Sequence, residues 1–157
     1  MMTFEEISGK LSAKFAEKIL AIKNDVKPDA YVLVSADAIL EVAKYLRDEE
    51  NFDFLNSISG IDLKGKLGAV YHISSIATKD KIVLRVEVEN QNPIIPSVES
   101  IWKTANWHER EAFDLIGIVF SNHPDLRRIL LPYDWEGHPL KKDYQVPEFY
   151  NGMKVPY

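Results

Sequence analysis

The residues able to do chemistry are gathered in one stretch, 107–143, which reads W-H-E-R-E-A-F-D-L-I-G-I-V-F-S-N-H-P-D-L-R-R-I-L-L-P-Y-D-W-E-G-H-P-L-K-K-D. Paired carboxylates could serve as a general acid and base, but Glu109 and Glu111 are two apart and face different sides of a helix. His108 and Glu111 are three apart and could face one metal ion, with His123 and His138 completing the set. The H-E-x-x-H pattern of a zinc hydrolase is absent. Histidines that precede proline, as in His123-Pro124 and His138-Pro139, more often fix a turn by hydrogen bonding. His72 lies in a strand pattern and reads as structural. There is no G-x-S-x-G, and with no cysteine there is no thiol nucleophile. The seven glycines are scattered, so no loop is built to cradle phosphate.

The same absence of cysteine excludes disulfides, thiolate-held zinc and a cysteine-held iron–sulfur cluster. Net charge is −5, which argues against nucleic acid or anionic lipid as the main partner. No window approaches eighteen consecutive apolar residues, and the opening MMTFEEISGKLSAKF does not read as a signal peptide. Any membrane association is therefore expected to run through a partner. The length of 157 residues fits one domain with a tail, whose core needs no metal or disulfide.

Successive residues on a helix step by about 100°. Placed on one helix over 102–116, Trp102, Ala105, Ala112, Phe113 and Ile116 share an arc, with Glu109 in its middle. A carboxylate on an apolar stripe is costly to bury unless paired. Arg127 or Arg128 is the expected bidentate partner. Trp107, Arg110, Glu111 and Asp114 fall on the opposite face, where they could reach a second chain. Alternatively, Glu109 and the arginines form an internal ion-pair network pinning the tail to the domain. That is compatible with docking.

The preceding residues must position this stretch. Thr3 and Glu6 form a capping box, and Phe4, Ile7, Leu11, Phe15, Ile19 and Ile22 recur at helical spacing, predicting a helix over 4–23. Tyr31–Val34 reads as a strand. Ser35 can cap a second helix with Ile39, Leu40, Ala43 and Leu46 as its buried stripe. Segments 52–63, 68–77 and 82–89 read as a three-strand meander, in which Leu84, Val86 and Val88 alternate with Val83, Arg85, Glu87 and Glu89. Ser97 can cap the next helix.

The prediction is thus an α+β fold: N-terminal helices on a small, mainly antiparallel sheet over 1–120, then an extended arm over 121–157. From Ser121 onward the chain holds five prolines and six aromatics, with five Lys/Arg against five Asp/Glu. It is too proline-rich for a helix or inner strand and too aromatic for a disordered linker. The balanced charge argues against single-stranded nucleic acid. Tyr133, Trp135, Tyr144, Phe149, Tyr150 and Tyr157, with Arg127, Arg128, Lys141 and Lys142, are types enriched at protein interfaces.

These residues carry a family resemblance. Glu109-Arg110-Glu111, Asp114-Leu115-Ile116, and then His123, Arg127, Ile129 and Leu130 resemble the signature of the thirty-kilodalton subunit of respiratory complex I. This is the C subunit of the bacterial NADH:quinone oxidoreductase and the J subunit of the chloroplast and cyanobacterial enzyme. Gly117-Ile118-x-Phe120, His123-Pro124-Asp125-Leu126 and Asp134-Trp135-x-Gly137-His138-Pro139-Leu140-x-Lys142-Asp143-Tyr144 look like the family too. Lys141 stands where the family usually has arginine, and a lysine lacks the planar fork of a bidentate contact. Gln145 stands where proline commonly follows the aromatic.

The resemblance implies a non-catalytic, peripheral-arm subunit on the cytoplasmic face of the membrane, or at the thylakoid in a photosynthetic type. It implies that NADH, FMN, iron–sulfur clusters and quinone belong to partner subunits and none to this chain. The implied neighbour is the forty-nine-kilodalton-type D subunit, which helps form the quinone site. Glu109, Arg110, Glu111, Asp114, His123, Arg127, Arg128, Trp135, Lys142 and Asp143 are the expected interface or ion-pair residues. The alternatives are the equivalent subunit of a membrane-bound, energy-converting hydrogenase-type complex and a small metal-dependent hydrolase. The electron donor stays open.

Overall fold

Thr3 and Glu6 open the first helix as a reciprocal cap. The Thr3 hydroxyl accepts from the Glu6 amide at 3.2 Å, and the Glu6 carboxylate accepts from the Thr3 amide at 2.7 Å. The computed structural model describes residues 1–156; Tyr157, counted above among the arm aromatics, lies outside the described residues. Helix α1 spans Phe4–Phe15 and buries Ile7 and Leu11.

The helix predicted over 4–23 ends early. Ala16 sits at φ 41°, outside the right-handed helical well, and a short 3₁₀ turn follows over Ala16–Lys18. Ile19–Lys23 is instead strand β1, paired antiparallel with β2, Tyr31–Val34. Ile19 and Ile22 fit helical spacing, but their β-branched neighbourhood finds a strand partner, and tertiary pairing overrides the local period.

Helix α2, Ile39–Asp48, buries Ile39, Val42, Ala43 and Leu46. Leu40, expected in that stripe, is 36% exposed, and Val42 takes its place. Ser35 does not cap α2. Its hydroxyl turns to the Asp37 carboxylate, and a 3₁₀ turn over Ala36–Ala38 intervenes. The acidic end of α2, unfavourable to the helix dipole, is met by α1: Lys14 reaches Glu49 and Lys10 reaches Glu50, each at 2.6 Å.

Strands β3 (Phe54–Asp62), β4 (Lys66–Ser74) and β5 (Lys81–Glu89) form the expected meander. The sheet order is β1-β2-β5-β4-β3, with β2–β5 the one parallel pair. One face carries Val32, Leu55, Ile58, Tyr71, Leu84 and Val86 into a single core shared with all three α-helices. The class is α+β, as predicted.

Helix α3, Ala105–Ile116, is the frame of the chemistry-bearing stretch. It packs on β3 at Gly60, where an added Cβ would stand 2.9 Å from Ile116 Cγ1. Only a glycine permits that approach. Trp102, expected in this helix, lies in the turn before it and stays buried, its indole N–H donating to Phe52 O at 3.0 Å. Helix α3 joins β6 (Ile94–Pro96) to β7 (Val119–Ser121), which pair in parallel. Beyond β7 the chain runs without helix or strand to a two-residue hairpin, β8 (Phe149–Tyr150) and β9 (Met153–Lys154).

Candidate interface and anchoring network

Asp114 is fully buried in the last turn of α3, where a carboxylate opposes the helix dipole. Four donors from the arm compensate. Its Oδ2 accepts from three consecutive amides, Ile129 at 3.1 Å, Leu130 at 2.8 Å and Leu131 at 2.9 Å. Its Oδ1 accepts from Arg128 Nη1 at 2.7 Å. A run of amides around one anion is a nest, and the guanidinium supplies the counter-charge. Burial pushes the Asp114 carboxyl up, but the Leu131, Leu130 and Ile129 amides and Arg128 together hold it below the usual carboxylate range.

Arg128 does more than neutralise Asp114. Nη1 also donates to the Asp114 carbonyl at 3.0 Å, and Nη2 donates to Trp135 O at 2.7 Å and Gly137 O at 2.8 Å. One planar fork thus ties the helix end to two turns of the arm. Arg110 works beside it, giving Nε to Arg127 O at 3.1 Å and Nη2 to Arg128 O at 3.0 Å. His138 Nδ1 donates to the Asp114 carbonyl at 2.9 Å, and Leu140 N donates to Leu115 O at 2.9 Å. Two carbonyls at the end of α3, those of Asp114 and Leu115, are therefore met by the arm. Gly117 closes the helix at φ 87°.

Glu109 is the main correction. It is fully buried on the stripe where the wheel put it, but neither Arg127 nor Arg128 is its partner. Arg127 Nε pairs with Asp125 at 2.9 Å on the surface, and Arg128 is taken by Asp114. Glu109 instead accepts from Ser97 Oγ at 2.6 Å and Val98 N at 2.8 Å. Those donors come from the segment after β6, so Ser97 is not the helix cap its type suggested. Burial pushes the Glu109 carboxyl up to about 7, against the lowering effect of its two hydrogen bonds.

Arg110 and Asp114, placed on an outward face by the wheel, are buried beneath the arm. Trp107 and Glu111 are exposed, with Trp107 at 70%. His123 accepts the Asp125 amide at Nδ1, 3.0 Å, and turns Nε2 to Asn106 O at 3.0 Å. The carbonyl can only accept, so Nε2 carries the hydrogen and the histidine fixes a turn. Trp135 donates Nε1 to Tyr144 OH at 3.0 Å and lies against Tyr150 with ring centres 5.1 Å apart. Lys142 gives its backbone amide to Asp62 at 2.9 Å, and both Lys142 and Asp143 are exposed.

The metal-hydrolase alternative finds no geometry here. Among the described residues no group of three or more His, Asp or Glu side chains is placed to share an ion, and both His123 nitrogens are engaged. What α3 and the arm do present is an open groove of about 730 Å³, lined by Trp107, His108, Glu111, Ile129 and Leu130. Leu130 in that lining is 65% exposed, and Tyr133, three residues further along the arm, is 92% exposed.

A model of the family described as "Respiratory-chain NADH dehydrogenase, 30 Kd subunit" matches residues 32–150, which take in the sheet from β2 onward, α3 and most of the arm.

The chain belongs to that family.

The C subunit of the NADH-quinone oxidoreductase of Chloroherpeton thalassium is 44% identical over 151 residues, covering 94% of this chain and 63% of that one. The corresponding subunit of Chlorobium phaeobacteroides is 42% identical, covering 92% and 90%. Among solved structures, Nqo5 in its trypsin-resistant fragment shares 27% identity at a TM-score of 0.66, covering 76% of this chain and 98% of that one. A chain of the membrane-bound sulfane sulfur reductase, an archaeal respiratory membrane complex, superposes at 0.74 over 90% of this chain and 85% of that one. At 22% identity it is a likeness of fold alone. No helix among the described residues is long and apolar enough to cross a membrane.

Proposed function

We propose that this chain is a non-catalytic, peripheral-arm subunit of a proton-translocating quinone oxidoreductase and that it braces the forty-nine-kilodalton-type subunit beside it. Family membership supports the coarser part, a subunit of an NADH dehydrogenase-type complex. One observation supports the finer part. The arm is pinned from within by Arg110, Asp114 and Arg128, while Trp107, Leu130 and Tyr133 stay outside. Internal charge fixes the backbone, and large apolar side chains are left for a partner. Such a surface loses little entropy on docking.

In this reading NADH, FMN, iron–sulfur clusters and quinone are held by partner chains, and the complex lies at the cytoplasmic face. The 27% identical Nqo5 and the two bacterial relatives favour this reading over the hydrogenase-type alternative.

The test is recovery of the tagged chain from its native membranes in mild detergent, beside Trp107→Glu. Wild type brings a forty-nine-kilodalton-type subunit and cluster-bearing chains, and Trp107→Glu folds normally but recovers at least tenfold less. Recovery of wild type as a lone monomer overturns the proposal. A co-purifying large subunit with four nickel-ligating cysteines would move it to the hydrogenase-type complex.

A further inference from the structure

Glu109 sits at a junction. Strand β6 leaves the small parallel sheet at Pro96, and the next two residues, Ser97 and Val98, both donate to its carboxylate. Ser97 N in turn donates to Ser121 O at 2.9 Å, at the end of β7. Two residues further, His123 reaches back to Asn106 O in the first turn of α3. The exit of β6, the start of α3 and the root of the arm therefore meet around one side chain.

Among the described residues no lysine or arginine pairs with its charge. The facing ionisable groups are Tyr71 from β4, Glu99 from the loop before α3 and His123 from the arm root. Tyr71 is fully buried, and its hydroxyl has no hydrogen-bond partner among the described residues. Burial, then the nearby Glu109, push its phenol well above the ordinary range. Glu99 adds repulsion. His123 Nε2 stands 3.9 Å away, beyond a hydrogen bond, and its proton is directed at Asn106. When Glu109 ionises, two hydrogen bonds alone hold a buried charge.

We propose that Glu109 is a pH-operated latch: with the carboxyl neutral, the Ser97–Val98 turn and the His123 arm root stay seated on α3, and its ionisation loosens both together.

The sign follows from linkage. Glu109 holds its proton up to about pH 7 when seated and releases it in the ordinary carboxylate range when exposed. The closed joint is favoured fully below the ordinary carboxylate range. That advantage is lost as pH rises toward 7, and it stays lost above. Local opening should increase by on the order of 50-fold between pH 5 and pH 8. The latch acts within the chain and does not depend on which partner the arm meets.

The experiment is hydrogen exchange on the full chain at several pH values, corrected for intrinsic rates, with wild type beside Glu109→Gln. Wild type should lose protection at 97–98 and 121–125 as pH rises from 5 to 8, while the amides of β4 and β5 stay protected. The amide of Glu109→Gln can accept from Val98 N and donate to Ser97 Oγ, as the neutral acid can, without a titrating proton. Its profile should be flat, and a profile that tracks wild type overturns the latch. If Glu109→Gln does not fold, Ser97→Ala supplies the second arm, read by the carboxyl carbon resonance of Glu109. Loss of a donor to the charged form should raise the titration midpoint. A midpoint in the ordinary carboxylate range in wild type, or one that Ser97→Ala leaves unmoved, also overturns it.

Discussion

Arg128 Nη1 stands 2.7 Å from Asp114 Oδ1, and the two residues are fourteen apart in the chain. Between them the chain leaves α3, forms β7, turns at His123 and comes back to the same helix. The pair closes that excursion as a clasp. Its strength comes from burial, since Asp114 is fully enclosed and Arg128 nearly so. An exposed pair of the same geometry would contribute little.

Removing the anion should open the clasp. Asp114→Ala leaves three backbone amides and a guanidinium without their acceptor. We expect a loss of roughly 3–5 kcal/mol, the usual cost of breaking a buried pair. Chemical denaturation measures it. A loss below about 1 kcal/mol would mean that the arm is held by its apolar contacts instead.

The same carboxylate sets an acid limit. Its pKa is depressed in the fold, so its contribution is fully present above the ordinary carboxylate range and is lost as pH falls through the lower, folded value. Melting temperature should drop below about pH 4. Asp114→Asn should start lower and fall less steeply over that interval. Parallel curves for the two proteins would remove Asp114 as the cause.

Arg128 distinguishes charge from shape. Arg128→Lys keeps the cation but cannot reach Asp114, Trp135 O and Gly137 O with one planar group. A loss of about 1–2 kcal/mol is expected, with protease cleavage of the 129–148 segment accelerated while the sheet domain stays resistant. Equal cleavage rates would show that charge alone suffices.

Gly117 ends α3 in the left-handed region, and an added Cβ would stand 2.8 Å from His138 Cδ2. Gly117→Ala combines backbone strain with displacement of the histidine that caps the helix end. It should cost about 1–3 kcal/mol. Thermal melts of Gly117→Ala and of Gly117→Ala with His138→Ala separate the parts, because the double variant should recover the steric share. No recovery would leave the backbone as the whole cause.

Legibility in the sequence varies with the range of the contact. The capping box at Thr3 and Glu6 acts over three residues, and the structure contains it. The meander of β3, β4 and β5 is readable because alternation and short turns are also local. The wheel places Glu109 on the buried arc, since helical spacing fixes direction. It assigns the wrong partner, because Ser97 and Val98 reach Glu109 through tertiary packing of the β6 exit. Ile19 and Ile22 mislead for the related reason that their strand partner lies beyond a turn. One signal could have found the clasp. Gly117 marks a helix end, so Asp114 has to lie in a last turn that disfavours a carboxylate, and it needs donors from elsewhere.

Composition and short-range spacing carry the α+β class, the family signature and the exclusion of thiol chemistry, so these can be read from the residues in order. Which charges face inward depends on tertiary packing. Arg110 and Asp114 lie on a polar arc of an isolated helix, yet they are covered once the arm folds over them. Burial belongs to the whole chain: one helix face becomes interior or surface according to what returns to cover it, and that return is made by residues 127–140.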